Sequence, residues 1–98
     1  MPRGKGRRRY AVFRKEIVIN NKTGLHARPA SELVEFCNGF VSEIALLTDA
    51  NEEINAKSII SILGGEIYQG TKVILQVEGS DEEIAGPQIA HLLENIPE

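Results

Sequence analysis

The chain has 98 residues, 42% of them apolar, with no Trp and a single Cys. That is enough for one small core, and it excludes a deep substrate cavity and an internal disulfide. The net charge of −3 hides an asymmetry: residues 16–98 hold four basic and all 14 acidic residues, a net of −10, and a body that acidic repels nucleic-acid phosphates.

Residues 1–11 (MPRGKGRRRYA) carry Arg3, Lys5, Arg7, Arg8 and Arg9 and no acid. Their composition predicts a disordered basic tail ahead of one domain over residues 12–98. The tail lacks the apolar stretch of a signal peptide and has no apolar helical face. Tyr10 is its only aromatic residue, so neither nucleic-acid binding nor membrane insertion is expected. Arg, Gly and Lys codons are purine-rich. The tail therefore also reads as a translated ribosome-binding stretch, with Val12 as the start if its codon is GTG.

The segment FRKEIVIN (13–20) alternates as a strand, with Phe13, Lys15, Ile17 and Ile19 on one side. Asn20 to Gly24 is turn chemistry. ARPASELVEFC (27–37) places Ala27, Ala30, Leu33, Val34 and Cys37 at helical spacing, and Asn38-Gly39 stops the helix. A strand is expected over Phe40 to Leu47, then a turn over 49–52 and a short returning strand over 53–56. Ser58 opens a short apolar helix that Gly64-Gly65 closes. KVILQVE (72–78) alternates as a strand. The acids at 81–83 suit the start of a last helix, whose apolar stripe is Ile84, Ala85, Ile89, Leu92 and Leu93. The order βαββαβα predicts an α+β open-faced sandwich. Gly86-Pro87 sits inside the last helix and predicts either a kink or a restart at Pro87.

The chemistry concentrates at Gly24-Leu25-His26-Ala27-Arg28-Pro29-Ala30. His26 stands where a loop becomes a helix. Pro29 fits that first turn, where a missing N–H costs nothing. The free amides of the turn, at Ala27 and Arg28, and the positive helix end make an anion site. The Arg28 guanidinium adds donors that match phosphate oxygens. A neutral imidazole there is a competent nucleophile for a phosphoryl group. On chemistry alone, a histidine before a helix is more often a cap or a surface residue than a nucleophile.

The block at 24–30 resembles the active-site signature of the HPr family, the histidine phosphocarriers of the bacterial phosphotransferase system. A second block, Asn55-Ala56-Lys57-Ser58-Ile59-Ile60, resembles that family's regulatory-serine motif, and Gln69-Gly70-Thr71 before the last strand is similar too. The resemblance spans roughly residues 13–96. It implies a four-stranded antiparallel sheet covered on one face by three helices, in a cytoplasmic monomer without cofactor or metal. It implies that Enzyme I phosphorylates His26 on Nδ1, that Arg28 supports the phosphate, and that Enzyme II A domains receive it. Such a protein is a carrier and not a turnover enzyme. Ser58 would be the target of the HPr kinase/phosphorylase, and Ile59, Ile60 and Leu63 would dock partners, with Ile62 kept inside. The alternative within the same fold is a regulatory HPr-like protein that acts mainly by protein binding.

The remaining residues read more plainly. As a helix cap, Ser58 has a purely structural use as well. His91 is expected to be a solvated helix residue. Cys37 falls on an apolar stripe and reads as a buried, inert thiol. No Cys/His spacing suits a metal.

Overall fold

The computed structural model describes residues 12–97. The expected tail, residues 1–11, lies outside the described residues. Seven elements follow in chain order: β1 (Phe13–Val18), α1 (Ala27–Cys37), β2 (Glu43–Thr48), β3 (Glu53–Asn55), α2 (Ile59–Gly64), β4 (Lys72–Glu78) and α3 (Glu82–Glu94). The strands form one antiparallel sheet in the order β1-β4-β2-β3. This is the expected open-faced sandwich.

The alternation of each strand decides which side meets the helices. Ile17, Ile44, Leu46, Ile54, Val73, Leu75 and Val77 are buried. Against them lie Ala30, Leu33 and Cys37 of α1, Ile62 of α2, and Ala85, Ile89, Ala90 and Leu93 of α3. Truncating one such large side chain to Ala costs about 2–5 kcal/mol. Lys15, which shares the inward parity of β1, escapes at the sheet edge and pairs with Glu94 at 2.9 Å.

The second strand and the last helix differ in part from expectation. The second strand begins at Glu43, not at Phe40. The N–H groups of Val41 and Ser42 donate to the Asp81 carboxylate, at 2.9 and 3.0 Å, and not to a neighbouring strand. Gly79 permits this approach, because a Cβ there would lie 2.6 Å from the Ser42 Cα. Asp81 precedes α3 but gives its side chain no capping bond to that helix. The Ser42 hydroxyl and then the Val41 amide hold its carboxyl below the ordinary carboxylate range.

Of the two forms expected for α3, the restart at Pro87 does not occur: the helix is continuous from Glu82 to Glu94, and Ile84 of its expected apolar stripe is exposed. Pro87 removes one hydrogen bond, to the carbonyl of Glu83. The buried stripe of Ala85, Ile89, Ala90 and Leu93 holds the helix across that gap. Gly86 packs directly on the Phe13 ring, where a Cβ would lie 2.3 Å from the ring.

Candidate functional site

His26 is the N-cap residue of α1, with extended backbone (φ −80°, ψ −169°). Its position is fixed from both sides. Leu25 before it and Ala30 after it are core residues, and the Ala30 N–H donates to the His26 carbonyl at 2.9 Å. Upstream, Gly24 takes φ +65°. Its Cα lies so close to the 67–68 backbone that a Cβ would come 2.3 Å from the Ile67 carbonyl oxygen. The Leu25 N–H donates to that same oxygen at 2.9 Å. Buried Asn21 closes the loop by donating from Nδ2 to the Gly24 carbonyl at 2.8 Å. Its Oδ1 is buried without a partner.

This scaffold leaves the His26 side chain exposed. The imidazole makes no capping bond. Pro29 occupies the third helical position, so only Ala27 and Arg28 offer free amides at this helix end. No backbone carbonyl of the described residues outside α1 accepts from either. An imidazole therefore stands at the positive end of an 11-residue helix, beside two N–H groups that no backbone carbonyl of the described residues uses.

His26, Arg28, Pro29, Glu32 and Pro97 line one open depression. Arg28 pairs with Glu32 at this site. Its side chain is 87% exposed, and its Nε lies 3.8 Å from Oε2 of Glu32. Glu32 belongs to the site's surroundings and was missed by motif reading. The signal available for it was the Arg28/Glu32 spacing of four on a helix face. A broader apolar groove continues between α1 and α3, past Pro29, Phe36, Pro87, Leu92 and Ile96, with exposed His91 on its wall.

Ser58 lies elsewhere and lines none of the depression around His26. It caps α2: its Oγ accepts from the Ser61 N–H at 3.2 Å. The Asn55 N–H donates in turn to the Ser61 Oγ at 2.9 Å, which ties β3 to α2. In α2, Ile62 is fully buried, whereas Ile60 is 80% and Leu63 44% exposed. Ile59 is half-buried against the core. Tyr68, beside Gly24, is also exposed and was not singled out from the sequence. Cys37 is buried, and burial pushes its thiol up to about 12 against the pull of the Lys57 charge. Among the described residues, no group of three or more His, Cys, Asp or Glu could hold a metal ion, and no helix is long and apolar enough to cross a membrane.

A family model described as "PTS HPr component phosphorylation site" matches residues 13–95. The phosphocarrier protein HPr of Borreliella burgdorferi is 36% identical over 87 residues, 89% of this chain and 100% of that protein. Among solved structures, HPr of Thermoanaerobacter tengcongensis is similar with a TM-score of 0.79 and 44% identity, over 84% of this chain and 91% of that one. Crh of Bacillus subtilis, seen as a domain-swapped dimer, is 33% identical with a TM-score of 0.64, over 82% of this chain and 91% of its own.

Proposed function

Because the chain belongs to the HPr family of phosphotransferase-system phosphocarriers, we propose that His26 is its phosphoryl acceptor, loaded by phospho-Enzyme I and unloaded by Enzyme II A domains. The observation that carries this reading is the exposed, uncapped imidazole at the α1 N-terminus, beside the amides of Ala27 and Arg28. Nδ1 is the ring nitrogen nearer the main chain. A phosphoryl group there lies back over those amides, where helix-end charge favours an anion. Arg28 lines the same depression as His26 and is exposed enough to move to the new charge. The protein is then a reagent that is loaded and emptied in the cytoplasm, with no chemical turnover of its own.

Ile60 and Leu63, with half-buried Ile59, are the apolar surface that partners of this carrier would cover. Phosphorylation of Ser58 by the HPr kinase/phosphorylase would replace its capping contact with Ser61 by a dianion next to that surface. The likeness to Crh favours a second reading, a regulator that works by binding alone. A pure regulator has no need of a free imidazole at a helix end. The carrier is proposed as a monomer, and the swapped dimer of Crh is the alternative that a sedimentation measurement excludes or finds.

The test is incubation with phosphoenolpyruvate and Enzyme I. The reading expects an acid-labile phosphate that disappears in His26→Ala. A label that persists in that variant removes His26 from the mechanism.

A further inference from the structure

We propose that Glu32 is a positioning residue which competes with the phosphoryl group for Arg28 and so raises the phosphoryl-transfer potential of the protein. The inference rests on the assignment of His26 above and adds a residue to it. Arg28 and Glu32 lie four apart on α1, with Nε and Oε2 separated by 3.8 Å, and both line the depression that holds His26. In the empty carrier, the guanidinium already has an anionic partner. Once His26 is phosphorylated, a second anion claims the same donors. Arg28 then either leaves Glu32 or divides its donors between the two. The carboxylate stays beside the new anion in both cases, and like charges at this range repel.

Both effects favour the empty form over the phosphorylated one. They weaken the hold on the group, which is what a carrier requires if it is to pass the group on. The pair is also built to yield. Its side chains are 87% and 57% exposed. The basic residue precedes the acidic one, which is the less favourable order on a helix. An exposed pair of this kind shifts an equilibrium by about two- to fivefold.

The experiment is a direct competition. Phosphorylated, 15N-labelled wild type is mixed with an equal amount of unlabelled Glu32→Gln and a trace of Enzyme I. One phosphorus–nitrogen bond breaks on one chain as another forms on the other, and Glu32 exchanges no atom. Intact-mass measurement then reads how the group distributes. At low ionic strength the variant should hold about 1.4 to 2.2 times as much phosphoryl group as wild type, the square root of that two- to fivefold shift because the equal mixture holds one group for every two chains. In 1 M salt, where the screening length is about 3 Å, the ratio should approach one. The same comparison in an Arg28→Ala background should shrink the ratio markedly.

A ratio of one at low salt overturns the inference while leaving His26 in place, and so does an undiminished ratio without Arg28. A wild type that accepts no phosphoryl group from Enzyme I takes down both the His26 assignment and this one. Glu32 is exposed, so the Gln variant is expected to fold, and its thermal transition run alongside reports that independently.

Discussion

Replacing Gly24 by Ala probes how His26 is held. Gly24 has φ +65°, and an L-residue forced into that region costs about 1–2 kcal/mol. The new Cβ would also lie 2.3 Å from the Ile67 carbonyl oxygen and 2.7 Å from the Tyr68 Cα. Both are backbone atoms, so the two segments must separate. Separation weakens the 2.9 Å bond from the Leu25 N–H to Ile67, a contribution of about 0.5–1.5 kcal/mol. The expected total is about 1.5–3.5 kcal/mol, a large share of the 5–15 kcal/mol typical of a whole domain. Gly70 supplies the control. It has φ +89°, but a Cβ there meets nothing within 4 Å, so Gly70→Ala carries only the dihedral cost. Urea unfolding of both variants at unchanged m-value measures the difference. Gly24→Ala should be the less stable by about 0.5–1.5 kcal/mol, and it should accept phosphate more slowly because His26 follows two residues on. Equal midpoints would refute the argument that close backbone approach positions the histidine.

Asp81→Asn tests the clasp on the loop at Val41 and Ser42. The Asp81 carboxyl is held below its ordinary value by Ser42 and Val41. Its stabilisation is therefore present above the unfolded value, about pH 4, and is lost as pH falls through the folded value. The variant should be less stable at pH 7 and should show a shallower acid limb in a pH series of melting curves. Ser58→Ala should cost about 1 kcal/mol through the lost cap, whereas Ser58→Asp, itself a capping residue, should keep most of that stability in the same unfolding assay. Ile60→Glu should change stability by less than about 0.5 kcal/mol, since the side chain is 80% exposed, yet weaken Enzyme I binding in a titration. Ile62→Ala, fully buried, should instead cost about 2–5 kcal/mol.

What could be read from the sequence was local. Alternation in KVILQVE placed the fourth strand at its observed bounds, and the Ser58 and Gly65 flanks bracketed α2, because a side-chain period or a cap is written within a few residues. The His26 motif was legible for the same reason. The missing features are contacts between distant positions. Asp81 withdraws Val41 from the sheet across 40 residues. Gly24 reads as ordinary turn chemistry until Ile67 is seen against it. Pro87 reads as a breaker, and only the buried side of α3 shows why the helix continues. The Arg28 pairing with Glu32 was not announced by the motif, since a short motif does not say where a long exposed side chain rests.

The measurement that bears most directly on the central claim is nitrogen-15 and phosphorus NMR of the protein after reaction with Enzyme I and phosphoenolpyruvate. The account predicts one phosphoramidate, bonded to Nδ1 of His26 and accompanied by shifts in the Ala27 and Arg28 amides. A phosphoryl group on any other atom, or a phosphorylated His26 that leaves those two amides unmoved, would contradict it.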